Sequence, residues 1–342
     1  PKTNKKVFQY NSAIMNGNKG KKIEVHAFQR LKDGITMIAE SGAGRIIEVD
    51  SKGKLLKEIK LKLNKPHPHT DTRLARKLRN GHYLVSHEGD GFVREYDNSG
   101  KVIWEYEIPL FGKVPKGGHG PTSWGNKTFS SLRLPNGNTR IATGNGHSVI
   151  EVTPAKDIVW HLKQNDLKGI NLAWVTTLQL LPNGNYMIGN CHAGKNNPQI
   201  IEINKKKEVI WTYKDFKNFG NSLSNSTIID AGEDIAFFNN KVHPILEKNC
   251  FKCHGHEEKE IKGGLWLESR YDALKGGDIA GARVFNAQDL KKSVLLKHIH
   301  WSDEDHQMPP KKRMALADIK ILTDWVSRGM PYDPFKETIA VG

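Results

Sequence analysis

Short apolar runs alternate with polar residues through the first two-thirds of the chain, and glycine turns separate them. A period of two reads as half-buried strands. Four Asn/Asp-Gly dipeptides mark the turns: Asp33-Gly34, Asn80-Gly81, Asn136-Gly137 and Asn183-Gly184, at steps of 47, 56 and 47 residues. Such pairs supply the positive φ of tight hairpins. After each comes a strand-like run: Ile35–Ala39, His82–Ser86, Asn138–Thr143 and Asn185–Gly189. A second run follows, centred on Glu48, Glu95, Glu151 and Glu202. The glutamate lies 14 residues after the glycine in three units and 18 after it in the fourth, which predicts a four-residue loop insertion. Nine residues beyond the glutamate stand Lys57, Trp104, Trp160 and Trp211.

A repeat of this length, built from short strands and glycine turns, predicts a β-propeller. One such unit cannot bury both faces of its sheet, so units must pack side by side. The repeating Trp reads as a blade-packing residue. A fifth unit starts at Asn225–Gly232, and Lys6–Tyr10 is positioned to complete it by closing the ring. Five blades is the first expectation and six the second. The pattern changes at Ala231–Asn240, which predicts a propeller over 1–231 and a second domain over 232–342. There the period becomes helical, in Phe238–Lys248, Asp289–His300 and Ala315–Arg328. Gly329 and Pro331 end the last helix. The expected architecture is an all-β propeller followed by an all-α domain.

The propeller units resemble pyrroloquinoline-quinone-type and arylsulfotransferase-type repeats, on phrases such as Gly100–Trp104. The resemblance implies fold rather than chemistry. A quinone cofactor is not expected, because about 230 residues give nearer five blades than the six or eight of quinone enzymes.

The second domain opens with Cys250-Phe251-Lys252-Cys253-His254. Cys-x-x-Cys-His after a helix, in an exported protein, marks covalent attachment of haem c. Two thiols add to two vinyl groups, and the next residue offers imidazole to the iron. A thioredoxin-type βαβ setting is absent, and a zinc site would require a second pair such as His298 and His300. The distal iron ligand is expected from Met308, in Met308-Pro309-Pro310, with His298, His300, His306, Met314 and Met330 as alternatives. Residues 241–334 resemble the planctomycete-type cytochrome c domain. The matching phrases are Val242–Leu246, Asn249–Gly255, Lys262–Leu267, Leu274–Gly277, Ser293–Leu296, Met308–Pro310 and Trp325-Val326. The resemblance implies the same roles for Cys250, Cys253, His254 and Met308. It fails at Val284–Asp289, where the family carries a Pro-Gly-x-Pro turn.

Charge narrows the partners. With 52 Lys+Arg against 37 Asp+Glu, the formal net charge is +15. That favours an acidic redox partner or an anionic substrate such as a polysaccharide. The basic residues are scattered and no nucleic-acid-binding motif occurs, so nucleic acid is not expected. No apolar run reaches the ~18–20 residues of a membrane helix. Three cysteines are too few for a disulfide framework. The start at Pro1 reads as a mature or trimmed chain, compatible with a periplasmic or otherwise exported location. Oligomeric state is not legible.

The propeller adds a second candidate site. His87, His147 and His192 fall near the end of the same strand in their units, and His67, His69 and His119 lie in connections that could reach the same face. Cys191 precedes His192. Convergent imidazoles bind a second metal or act as acid/base groups. Glu88 and Asp90 add carboxylates, and Gly89, Gly91, Gly144, Gly146 and Gly194 would admit a ligand close to the backbone. Hydrogen-bonded loop histidines are the plainer reading. Two functions therefore stand: an exported haem protein whose propeller is itself a metal- or substrate-binding redox site (an oxidoreductase), or one whose propeller docks a polysaccharide or redox partner while the haem relays electrons. Exposed Trp124 or Trp174 would favour docking. A haem sensor would need an open iron.

Overall fold

A computed structural model describes residues 6, 8–181, 184–228, 232–256, 261–278, 284–287 and 289–333. The chain forms two compact units, Pro1–Gln179 with Met187–Thr227, and Leu180–Tyr186 with Ile228–Gly342.

The first unit is a β-propeller. Four antiparallel four-stranded sheets follow one another along the chain. The first holds β1 (Glu24–Arg30), β2 (Thr36–Ser41), β3 (Arg45–Val49) and β4 (Leu55–Lys60). The second holds β5 (Ala75–Lys77), β6 (Tyr83–His87), β7 (Phe92–Tyr96) and β8 (Val102–Glu107). The third holds β9 (Ser130–Arg133), β10 (Thr139–Ala142), β11 (Val149–Val152) and β12 (Ile158–Leu162). The fourth holds β13 (Trp174–Leu180), β14 (Tyr186–Cys191), β15 (Ile200–Ile203) and β16 (Val209–Tyr213).

The middle strands of each blade are buried throughout or nearly so, and the outermost alternate or face solvent. Register explains the nine-residue spacing. Glu48 faces Lys57, Glu95 faces Trp104, Glu151 faces Trp160 and Glu202 faces Trp211, each as a cross-strand pair. A register shift follows the glutamate in every blade, so the same bulge re-aims each outer strand.

These positions join blade to blade. Lys57 Nζ donates to Asn98 Oδ1 at 2.7 Å, Trp104 Nε1 to the Pro154 carbonyl at 3.1 Å, and Trp160 Nε1 to the Lys205 carbonyl at 3.2 Å. Each acceptor lies in the turn before the next blade's outer strand. The glutamates reach the same way: Glu48 accepts from Tyr83 Oη and pairs with Lys77, and Glu95 pairs with Arg133. The Trp is thus a rim clasp, half in solvent, rather than a buried packing residue.

Four blades are present among the described residues, where five were expected. Residues 225–228 form no strand, and Ser226 instead donates its backbone N–H to Thr177 Oγ1 at 3.1 Å. Residues 229–231 of the expected fifth unit lie outside the described residues. Of the segment expected to close the ring, residues 6 and 8–10 form no strand. Phe8 and Tyr10, with Leu55, pack on the cluster Ile38, Ile47 and Val49 of the first blade instead. Burying an aromatic on an apolar sheet face outweighs adding an edge strand that has no neighbour to pair with.

Helix α1 (Phe216–Phe219) follows the fourth blade, and the second unit is helical. Helix α2 (Gly232–Phe237) runs through a π-helical turn, Phe238–Val242, into α3 (His243–Asn249), then α4 (Phe251–His254). Then come α5 (Arg270–Lys275), α6 (Val294–Ile299) and α7 (Leu316–Ser327). The expected helix at Asp289–His300 is interrupted at Ser293, whose hydroxyl donates to the Val284 carbonyl at 3.0 Å. That carbonyl also accepts from Leu295 N, and Phe285 packs edge-on against Trp325 at 5.7 Å. The loop without the family's turn is therefore anchored by its own buried residues. Trp325, fully buried, centres a core with Phe238, Val242, Leu246, Leu322 and Tyr332.

One buried ion pair tests how the second blade is held. Arg94 and Asp90 are buried and 2.6 Å apart, and Asp90 also accepts from the backbone N–H groups of Asn64 and Lys65. Removing Asp90 leaves the buried Arg94 with only the partly exposed Glu105 at 3.2 Å and strips the Asn64 and Lys65 N–H groups of their acceptor, so Asp90→Ala should cost about 2–4 kcal/mol in urea unfolding. Asp90→Ala combined with Arg94→Met should recover part of that loss.

Candidate functional site

The Cys-x-x-Cys-His segment lies at the α3–α4 junction. Cys250 N–H donates to the Leu246 carbonyl at 2.7 Å, and His254 N–H to the Cys250 carbonyl at 2.9 Å. This winds both thiols and the imidazole onto consecutive helical turns. Both cysteines are unbridged; Cys250 is buried and Cys253 half-buried. Burial, then the neighbouring Cys253, pushes the Cys250 thiol up to about 12. It is a neutral thiol, unlike the low-pKa cysteine of a dithiol oxidoreductase.

His254 is the best-oriented group here. Its Nδ1 lies 3.0 Å from the Leu265 carbonyl, which makes Nδ1 the donor and leaves Nε2 with its lone pair. Burial lowers its pKa, so the ring is neutral. Leu267 N–H donates to the His254 carbonyl at 2.8 Å, pinning the backbone as well. The next residue must be glycine: a Cβ on Gly255 would meet the Phe251 carbonyl at 2.7 Å and Glu268 Oε1 at 2.8 Å. Sequence reading missed Leu265 and Glu268, because a carbonyl carries no residue signature and Glu268 looks like any surface acid.

Met308 is partly buried against the helical core. Its N–H donates to the His298 carbonyl and its carbonyl accepts from Trp301 Nε1, both at 3.1 Å. Met314 and Met330, two of the alternatives, are packed into the core at 7% and 3% exposure. His300 is exposed, and His298 and His306 are engaged with Asp303. An unbridged thiol pair, a neutral imidazole held through Nδ1 and a methionine whose backbone is tethered fit haem c in donor type and order.

The propeller histidines separate into different environments. His87 is fully buried between the Asp71 carbonyl (Nδ1, 2.7 Å) and Tyr96 Oη (Nε2, 2.9 Å). His147 is fully buried between the carbonyls of Ala173 (2.6 Å) and Ser123 (2.5 Å). Neither offers a free nitrogen. Cys191 is buried, with its thiol pushed up to about 11 by burial. His67 Nδ1 accepts from the His69 backbone N–H at 3.2 Å. His69 bonds Glu24 Oε2 at 2.6 Å, and Arg73 Nη2 lies 2.9 Å from its Nε2. Glu88 pairs with Arg73 and Asp90 with Arg94, so neither carboxylate is open. Four of the five glycines are closed by the protein itself: a Cβ on Gly144 would sit 1.9 Å from the Lys127 carbonyl, and Gly89, Gly91 and Gly146 are crowded by Thr70, Asn126 and Thr143, whereas Gly194 faces open space.

His119 and His192 do meet, with ring centroids 4.9 Å apart, and His119 lies on Trp174 at 4.7 Å. Burial, then His119, lowers the His192 pKa. Lys127 Nζ stands 5.7 Å over the Trp174 ring. Among the described residues, no three of His69, His87, His119, His147, Cys191 and His192 present ligand atoms to a common point.

The planctomycete cytochrome c family model matches residues 250–312, from Cys250 past Met308. No curated protein matches the chain. Among solved structures, a protein of unknown function from Bacteroides caccae is 27% identical, with 59% of this chain and 70% of that one covered and a TM-score of 0.49. A streptogramin B lyase is 15% identical, with 58% of this chain and 56% of that one covered and a TM-score of 0.41. The virginiamycin B lyase of Staphylococcus aureus with quinupristin is 13% identical, with 59% of each covered and a TM-score of 0.43. This chain thus spans under two-thirds of either lyase. No helix among the described residues is long and apolar enough to cross a membrane.

His87 makes stability depend on pH. Burial, then the Arg94 charge, lowers its pKa to about 4 in the folded state, whereas an unfolded histidine titrates near 6.5. Between these values the unfolded chain binds the extra proton, so folding stability rises with pH. The contribution is complete above about pH 6.5 and is lost as pH falls towards 4, about 3 kcal/mol in all. Denaturant unfolding from pH 7 to 4 should show this loss, and His87→Gln should flatten it.

Proposed function

We propose that the helical unit is a monohaem c-type cytochrome domain and that the chain is an exported electron-transfer protein. Cys250 and Cys253 hold the porphyrin as thioethers, His254 Nε2 is the proximal ligand and Met308 the distal one. The observation that carries the reading is the His254 Nδ1 bond to the Leu265 carbonyl, inside the matched stretch. When bound, haem supplies a one-electron couple, and a Met/His ligand pair holds its potential high. The chain's own residues do the rest. Leu265 fixes the imidazole tautomer, as an outer-sphere carbonyl does for a metal-bound histidine. Gly255 lets Glu268 and the Phe251 carbonyl approach the backbone directly after the ligand histidine. The His298 carbonyl and Trp301 tether the Met308 backbone.

For the propeller, the docking reading is the better supported. His87 and His147, the two histidines most regular in position, have both ring nitrogens bonded internally. The open groups are His119 and His192, beside Trp174 and Lys127. Trp174 itself is buried, at 5% exposure, so it is not the exposed aromatic that docking called for. The Lys127 ammonium beside the imidazoles suits an anionic partner. The net charge of +15 favours encounter with an acidic redox protein.

Expression with haem-maturation machinery should give a chain that keeps its haem on a denaturing gel. Cys250→Ala with Cys253→Ala should abolish that signal. Met308→Ala should leave haem attached but remove the methionine-to-iron charge-transfer band and lower the midpoint potential in a redox titration. Covalent haem absent from the parent chain would end the reading.

A further inference from the structure

Two histidine–carboxylate groups in the structure have the dimensions of a metal site, one in each unit. They differ in what surrounds them. In the first, Glu24, His26 and His69 already hold a cation. Arg73 Nη2 is 2.9 Å from His69 Nε2, and its Nη1 is 3.2 and 3.3 Å from the two nitrogens of His26. A guanidinium fixed in place by Glu88 excludes a second positive charge.

The second group has no such occupant. His298 closes α6, and Asp303 and His306 lie in the loop that leads to Met308. Asp303 Oδ2 is 3.1 Å from His306 Nδ1 and 3.7 Å from His298 Nε2, and all three ligand atoms lie within 4.8 Å of one another. The two rings stack at 5.2 Å with 15° between their planes. An ion bonded at about 2.1 Å to each ligand holds neighbouring donors about 3.0–3.4 Å apart. The carboxylate is already at that separation from one imidazole and within a few tenths of an ångström of it from the other. Among the described residues Asp303 pairs with no lysine or arginine. His298 is largely shielded, at 13% side-chain exposure, while Asp303 and His306 are open, at 37% and 52%. An ion can therefore enter and keep water on its outer side.

We propose that His298, Asp303 and His306 bind one divalent transition ion of the zinc or copper class. Two imidazoles and one carboxylate select borderline ions over calcium or magnesium. Binding displaces any proton on the nitrogen that each ring turns to the ion. The ion would lock the loop between α6 and Met308, because it joins the end of the helix to residues five and eight positions on.

The test uses zinc and the full chain, in two forms: haem-loaded, and Cys250→Ser with Cys253→Ser. In neither form is a thiol free in that motif, and the second makes the outcome independent of the haem reading. Equilibrium dialysis with metal analysis should find one zinc per chain. Saturating zinc should raise the midpoint of thermal unfolding. His306→Ala and Asp303→Asn, both at solvent-facing side chains, should each weaken zinc binding at least tenfold and leave the zinc-free midpoint unchanged. His69→Ala should leave binding intact. Absence of stoichiometric zinc, binding that survives both loop variants, or binding lost in His69→Ala would overturn the proposal.

Discussion

A four-stranded sheet has two faces, and this chain can bury both only by setting sheets side by side. That constraint organises the first unit. Middle strands become buried on both faces, as in Tyr186–Cys191, because they have a neighbour on each side. Outer strands carry the junction instead. At the position opposite each repeat glutamate, the chain places a long side chain with an N–H at its tip. In the first three blades that tip finds an acceptor in the following blade's turn. Lysine serves in the first blade and tryptophan in the next two, so reach and a donor matter more than aromaticity. In the fourth blade Trp211 stays 45% exposed, as an end position with no following blade among the described residues must be.

The helical unit answers a different constraint. An imidazole has two nitrogens, and a ligand must have one of them bare. The fold settles this by spending His254 Nδ1 on a backbone carbonyl eleven residues on. The propeller histidines show the opposite arrangement. His87 and His147 have an acceptor or hydroxyl at each nitrogen, and these bonds fix loops rather than hold ligands. The same residue type thus serves as donor set or as structural pin, and bonding at the second nitrogen decides which.

This difference also measures what was legible in the sequence. Blade period, strand order and the Glu–Trp register are local, and turn glycines and spacing announce them. The helices that build the second core are equally local, and so is the Cys-x-x-Cys-His run, whose members lie within five consecutive residues. Blade number was not legible, because residues 8–10 are apolar enough to be a strand but pack on the face of the first blade instead. Apolar content says that a segment is buried, not against what. The recurrence of His87, His147 and His192 was real in spacing, yet recurrence tracks the strand end. It carries no information on whether a carbonyl waits beside the ring.

The glycines make the same point from the backbone side. Gly144 looks like an opening for a ligand, since it lies beside a histidine in a loop. Its positive φ and the Lys127 carbonyl, 1.9 Å from where a Cβ would be, show that the space is taken by the segment leading into Ser130–Arg133. Gly255 is crowded in the same way, by atoms of Phe251 and Glu268, directly after the histidine whose Nδ1 is held by the Leu265 carbonyl. A glycine therefore marks close approach of the chain to itself in both units, and only the partners of the adjacent histidine tell a structural loop from a candidate ligand.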